Sequence, residues 1–180
     1  MLSKENSQII LNIARQVIGD VLNNRHSDSI DVPDELKEIG ACFVTLTIAD
    51  KLRGCIGTLK AHRPLYLDVI ENTKAAAFAD DRFSPLTIDE LNHVTIEISV
   101  LSQPQNLNYR DPDDLLNKLD PNMGIILLYQ GHSATYLPQV WHDIPDKTEF
   151  LDSLAEKAGL IKEDWKKAKY QYYYVSAHKE

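Results

Sequence analysis

The order of apolar and polar residues divides the chain into short segments whose period changes from helical to strand-like and back. From Ser3 to Asn24, the residues Ile9, Ile10, Ile13, Val17, Val21 and Leu22 recur at helical spacing, which predicts a helix ended by Asn23-Asn24. A polar loop follows, and Pro33 to Gly40 (PDELKEIG) reads as a short turn. The period then drops to two. Cys42, Val44, Leu46 and Ile48 form one face of a strand, with Phe43, Thr45 and Thr47 on the other. Ala49-Asp50-Lys51 predicts a turn, so residues 52–59 return as the second arm of a hairpin. Pro64 opens a second helix to about residue 79, burying Leu65, Val69, Thr73 and Ala76, and the loop 80–85 (DDRFSP) stops it. After a helical turn at 87–91 comes the clearest strand, residues 93–102, where Val94, Ile96, Ile98 and Val100 alternate with Thr95, Glu97, Ser99 and Leu101.

Gln103-Pro104 marks a change of region. Beyond it the pattern predicts a capped helix at 111–119, a hairpin with arms 124–129 and 133–137, and a short helix from Pro138 to Trp141. A helix opened by the box Asp146-Lys147-Thr148-Glu149 and closed at Gly159 follows, then a short helix at 164–168 and an aromatic strand from Tyr170 to Val175. Segments of both types without regular β-α-β alternation predict an α+β protein with antiparallel sheets. The aromatic strand could pair with another copy, giving a homo-oligomer, if it lay at a sheet edge. It could equally be covered by the first helix.

Composition narrows the function classes. The 19 Lys and Arg against 27 Asp and Glu give a formal charge of −8, a poor balance for binding nucleic acid through its phosphates. No apolar stretch approaches membrane-spanning length, and the N-terminal residues lack the apolar core of a secretory signal. With two cysteines and no C-x-x-C, the expectation is a cytoplasmic protein with reduced thiols. The six histidines show no metal-ligand spacing, so no metal site is expected, and no P-loop or G-x-G-x-x-G points to a cofactor.

The chemically unusual stretch is Leu52-Arg53-Gly54-Cys55-Ile56-Gly57. Strict alternation puts Leu52, Gly54 and Ile56 on one face and Arg53, Cys55 and Gly57 on the other, unless a bulge at a glycine breaks the parity. If strands 52–59 and 93–102 share a sheet, Arg53, Cys55 and Glu97 meet on a common polar side. A guanidinium beside the thiol would favour the thiolate, and Glu97 could act as general acid or base. The competing reading is an ordinary Arg53–Glu97 ion pair beside an idle thiol. Cys42, among Val44, Leu46 and Ile48, reads as a small core residue. Tyr136 and Gln139, in Tyr136-Leu137-Pro138-Gln139-Val140-Trp141, are either pocket-wall hydrogen-bonding groups or part of a packed corner around Trp141.

The hexapeptide LRGCIG resembles the signature of the AMMECR domain family. The blocks AAAFADDRFSPLTIDEL (75–91), IEISVLS (96–102), ATYLPQVW (134–141) and FLDSLAEKAGL (150–160) are similar to its bacterial and archaeal members in order and spacing. Ser84 departs from the second proline many members carry there. The resemblance implies two unequal subdomains, each an antiparallel sheet packed with helices, with a cleft between them. The larger would span about 1–103 plus 169–180, and the smaller inserted one about 104–168. The signature hairpin, with Leu52, Gly54, Ile56 and Gly57, would face the cleft. The family has no established reaction. Many prokaryotic members are assigned to a three-part system with a Memo-like protein and a radical-SAM protein, which the resemblance makes candidate partners. Two readings follow: a cysteine-dependent enzyme acting on a protein or other large substrate, or a non-catalytic module in which Arg53 anchors an anionic group and the glycines admit a close ligand.

Overall fold

The computed structural model describes residues 2–25 and 31–180; Met1 and residues 26–30, within the polar loop expected after the first helix, lie outside it. The chain is α+β and divides into two compact units, residues 1–102 with 176–180, and residues 103–175.

In the first unit, helix α1 (Lys4–Leu22) starts where Ser3 accepts a hydrogen bond from the Asn6 N–H. Its buried face carries Ile10, Ile13, Ala14 and Ile18. After the one-turn helix α2 (Asp34–Lys37), strand β1 (Ile39–Ile48) and strand β2 (Lys51–Gly57) form the expected hairpin. Ala49 and Asp50 both take positive φ (48° and 59°), the combination of a two-residue turn whose twist matches that of the strands. A two-residue strand β3 (Arg63–Pro64) pairs the start of β1, helix α3 (Leu65–Phe78) follows, and β4 (Val94–Leu101) pairs β1 on the side away from β2. Residues 87–93 form hydrogen-bonded turns in place of the expected helical one.

Helices α1 and α3 cover one face of this sheet. Their apolar residues meet Cys42, Val44 and Leu46 of β1 and Val94, Ile96 and Ile98 of β4 in one core. Buried Asp68 of α3 ties the layers together: it accepts from the Cys42 N–H (2.9 Å), Thr58 Oγ1 (2.8 Å), Arg63 Nε (2.8 Å) and Asn72 Nδ2 (2.9 Å). A buried carboxylate is tolerated where its oxygens are this fully engaged.

The second unit holds β5 (Gln105–Leu107), α4 (Pro112–Lys118), β6 (Gly124–Tyr129), β7 (His132–Tyr136), α5 (Val140–Asp143), α6 (Lys147–Lys157), a 3₁₀ turn at Lys162–Lys167, and β8 (Lys169–Tyr173). Asp111 and Asp146 cap α4 and α6 by accepting from the N–H groups of Asp114 and Glu149. The sheet order is β5-β8-β6-β7, over a core that includes Leu115, Ile125, Leu127, Trp141, Phe150 and Leu154.

The C-terminal segment differs from the sequence expectation. Residues 169–180 do not stay together: β8 joins the second sheet, and a separate strand β9 (Val175–Lys179) returns to the first, beside β4, giving the order β2-β1-β4-β9. Nor is the aromatic strand an edge. Tyr170 and Tyr172 pair β5 on one side and β6 on the other, so its backbone is used within the sheet.

Candidate functional site

Strand β2 is the edge of the first sheet, and its register decides what lies beside Cys55. Leu46 pairs Gly54 but Thr47 pairs Leu52, so Arg53 is an extra residue, a β-bulge. The bulge breaks the parity expected from sequence. Leu52 shares the face of Thr47 and is exposed, whereas Gly54 and Ile56 stand opposite Leu46 and Val44 on the core face. Beyond the bulge the alternation resumes. Thr45 pairs Cys55 on one side and Glu97 on the other, which places thiol, hydroxyl and carboxylate in one row across β2, β1 and β4. Two interstrand spacings separate the ends of the row by about 10 Å between Cα atoms.

The row is half-buried. Cys55 Sγ lies 3.4 Å from Thr45 Oγ1. Among the described residues, no hydrogen bond or ion pair engages the Glu97 carboxylate. The close thiol–hydroxyl approach follows from the hydrogen-bonding pattern. The Cys55 N–H and C=O point away from β1, which makes Thr45–Cys55 a non-hydrogen-bonded pair, the kind whose side chains come closer.

Those outward-facing groups are held by the loop after α3. Asp80 Oδ2 accepts from the Cys55 N–H (2.8 Å), and Arg82 Nη2 donates to the Cys55 carbonyl (2.9 Å). Arg82 also grips Asp80 through Nε (2.9 Å) and Nη2 (2.7 Å). The Arg82 guanidinium, then the Cys55 amide, hold the nearly buried Asp80 carboxyl well below the usual carboxylate range. An open strand edge is thereby closed at Cys55 by a loop instead of another strand.

Arg53 points to a different partner from the one its motif suggests. Its Nε and Nη2 bind the two oxygens of Glu90 at 2.7 and 3.0 Å, and Nη2 reaches the Pro85 carbonyl at 3.3 Å. Glu90 also accepts from the N–H and hydroxyl of Thr87. Arg53 first, then Thr87, pull the Glu90 carboxyl down to about 2. The expected meeting of Arg53 with Glu97 is absent. The guanidinium is committed to a carboxylate 37 residues away, which neutralises it locally.

Both signature glycines are explained by close packing within this unit. A Cβ on Gly54 would stand 2.1 Å from the Ala76 carbonyl oxygen of α3, so the helix crosses the strand there at backbone contact. A Cβ on Gly57 would stand 2.2 Å from Cγ of Phe43, whose ring occupies that space. Cys42 is fully buried, and burial followed by the charge of Asp68 pushes its thiol far above the ordinary value.

Tyr136 and Gln139 belong to the second unit. The Tyr136 hydroxyl lies 2.9 Å from Ser153 Oγ, its ring meets Phe150 edge-on at 5.3 Å, and Lys157 Nζ sits 4.6 Å from its centroid. Trp141 stacks on Phe150 at 3.6 Å and donates to the Met123 carbonyl. Gln139 is exposed at the start of α5. The stretch therefore forms a packed corner around Trp141. Thr45, Asp80, Arg82 and Glu90 escaped the sequence reading. The two acids and Arg82 sit in a loop without periodicity, and nothing local marks which strand that loop will close. Among the described residues, no cluster of three or more His, Cys, Asp or Glu side chains is arranged to hold a metal ion, and no helix is long and apolar enough to cross a membrane.

Comparison with known proteins agrees with this architecture. The family model described as AMMECR1 matches residues 11–179. A protein of Thermofilum pendens is 35% identical over 179 residues, covering 92% of this chain and 84% of its own length. Protein TV1384 of Thermoplasma volcanium is 38% identical over 160 residues, covering 86% of this chain and 78% of its own. Among solved structures, the uncharacterized protein PH0010 from Pyrococcus horikoshii superimposes with a TM-score of 0.81 at 28% identity, covering 98% of this chain and 92% of its own.

Proposed function

The chain belongs to the AMMECR1 family, and from that premise we propose that it is a cysteine-dependent enzyme whose reacting group is Cys55, with Glu97 as the proton-handling carboxylate and Thr45 between them. The observation that carries this is the double register of Thr45 with Cys55 and Glu97. A nucleophile needs a base within reach, directly or through one intervening group. The row puts the thiol and the carboxylate on one face with the Thr45 hydroxyl between them. In the proposed step the sulfur forms a bond to an electrophilic carbon of a protein or other large substrate, and the thiol proton passes by way of the Thr45 hydroxyl to Glu97. The leaving group departs with the bonding pair and takes that proton back.

The alternative, a binding module working with Memo-like and radical-SAM partners, drew on Arg53 as an anion anchor and on the glycines as gaps for a ligand. Arg53 is already bound to Glu90 and Pro85, and the glycine gaps are filled by Ala76 and Phe43, so the geometry favours the thiol reading. The test is intact-mass and peptide-level mass spectrometry after incubating the purified protein with size-fractionated cell extract. An adduct on Cys55 is expected, absent in Cys55→Ser and formed more slowly in Glu97→Gln, where no carboxylate takes up the thiol proton and returns it to the leaving group. If no adduct forms on Cys55 in either background, the enzyme reading fails. Retention of Memo-like or radical-SAM proteins by the Cys55→Ser chain would then support the binding module.

A further inference from the structure

We propose that Asp80 and Arg82 are the positioning pair of Cys55: together they fix its main chain from the open side of the edge strand, and they supply the charge environment of its thiol, a role the RGCIG motif by itself suggests for Arg53. This rests on the reading of Cys55 as the reacting group.

Four observations support it. The pair occupies both outward main-chain groups of Cys55, one by an acceptor and one by a donor, as a neighbouring strand would. On the other side β2 pairs with β1, so the strand is flanked along both edges at Cys55, and the thiol lies against Thr45. The Asp80 side chain is 2% exposed and hydrogen-bonded through both oxygens, so the clamp is rigid, while Arg82 is 51% exposed and faces solvent. Electrostatic contact with Cys55 is also among the smaller influences raising the Arg82 guanidinium, after the dominant bond to Asp80.

The charged side chains around Cys55 in its unit come from several elements. Asp80 and Arg82 stand on the loop after α3, Arg53 lies on β2 with its partner Glu90, and Glu97 lies on β4; β1 contributes the uncharged Thr45. Arg53 is cancelled by its bidentate partner. Asp80 and Arg82 are matched to each other directly at the Cys55 backbone, so removing either one leaves an unbalanced charge at that residue.

The test compares alkylation of Cys55 by neutral iodoacetamide and by anionic iodoacetate, read at that residue by mass spectrometry. The ratio of the two rates senses local charge, and a merely loosened strand would speed both reagents alike. Arg82→Ala should lower the iodoacetate-to-iodoacetamide ratio about threefold, the effect of one unit charge several ångströms away in a largely aqueous dielectric. Asp80→Asn should raise it by a similar factor, Arg82→Lys should stay near the wild-type value, and Arg53→Ala should change it less than Arg82→Ala. Thermal melting of each variant checks folding, and the conservative Arg82→Lys and exposed Arg82→Ala keep the test decisive if Asp80→Asn unfolds. The proposal is overturned if the ratio follows Arg53 and ignores Arg82, if both reagents accelerate equally, or if Cys55 resists both in the folded chain. The ratio needs no substrate, so its failure is separate from a failure to find an adduct.

Discussion

Two glycine-to-alanine changes in the same unit should move stability in opposite directions. At Gly54, the added methyl would lie 2.1 Å from the Ala76 carbonyl oxygen and 3.1 Å from its carbon. Both are helix backbone, so relief requires α3 to lift from the sheet or β2 to bend. Overpacking of this kind costs ~1–3 kcal/mol, and the upper end applies where no side chain can rotate away. At Gly19, inside α1, nothing lies within 4 Å of the added methyl. Alanine there gains ~0.5–1 kcal/mol from helix propensity alone. For a chain of this size each kcal/mol shifts the melting temperature by about 2–4 °C. Gly54→Ala should therefore melt roughly 6–12 °C lower and Gly19→Ala roughly 1–4 °C higher, as read by circular dichroism and cross-checked by urea midpoints. The reasoning is refuted if Gly54→Ala melts with the wild type. Were such a chain also to lose Cys55 adduct formation, the glycine would be serving a ligand and not the helix.

Two other perturbations test the parts that surround the row. The Glu90 carboxyl falls from 4.5 to about 2 on folding, so the Arg53–Glu90 pair adds stability that is complete above about pH 4.5 and is lost as pH drops toward 2. Glu90→Gln should flatten the fall in urea midpoint over that interval, and an unchanged pH profile would show that the pair is not coupled to folding. Ala49 adopts φ of 48°, a region that costs a side-chain-bearing residue about 1 kcal/mol or more, so Ala49→Gly should raise the melting temperature by a few degrees; a fall would mean that the hairpin turn is held differently.

Much of this protein was determined by its local pattern. Alternation at residues 42–48 and 94–100 set which side chains enter the core, because a strand turns successive residues to opposite faces whatever it later pairs with. Helical spacing in α1 and α3, and the caps at Asp111 and Asp146, act within a few residues and needed no partner to be read. The LRGCIG hexapeptide and its flanking blocks carried the family in the same way, being contiguous in the chain.

What tertiary structure alone decided is where that alternation slips and which distant charges arrive. The extra residue at Arg53 is invisible without β1 to count against, and it removes the arginine from the row while leaving Cys55 opposite Thr45. Glu90 reaches Arg53 across 37 residues and Asp80 reaches Cys55 across 25, because α3 packs at backbone contact over Gly54 and brings its following loop down on the strand edge. Likewise, the break between β8 and β9 depends on which strands each half pairs with, β5 and β6 for β8 and β4 for β9, which no alternation within residues 169–180 encodes. The period of a segment is a property of its own backbone. Register, edge closure and the pairing of charges are properties of two segments at once, and they exist only when both are folded.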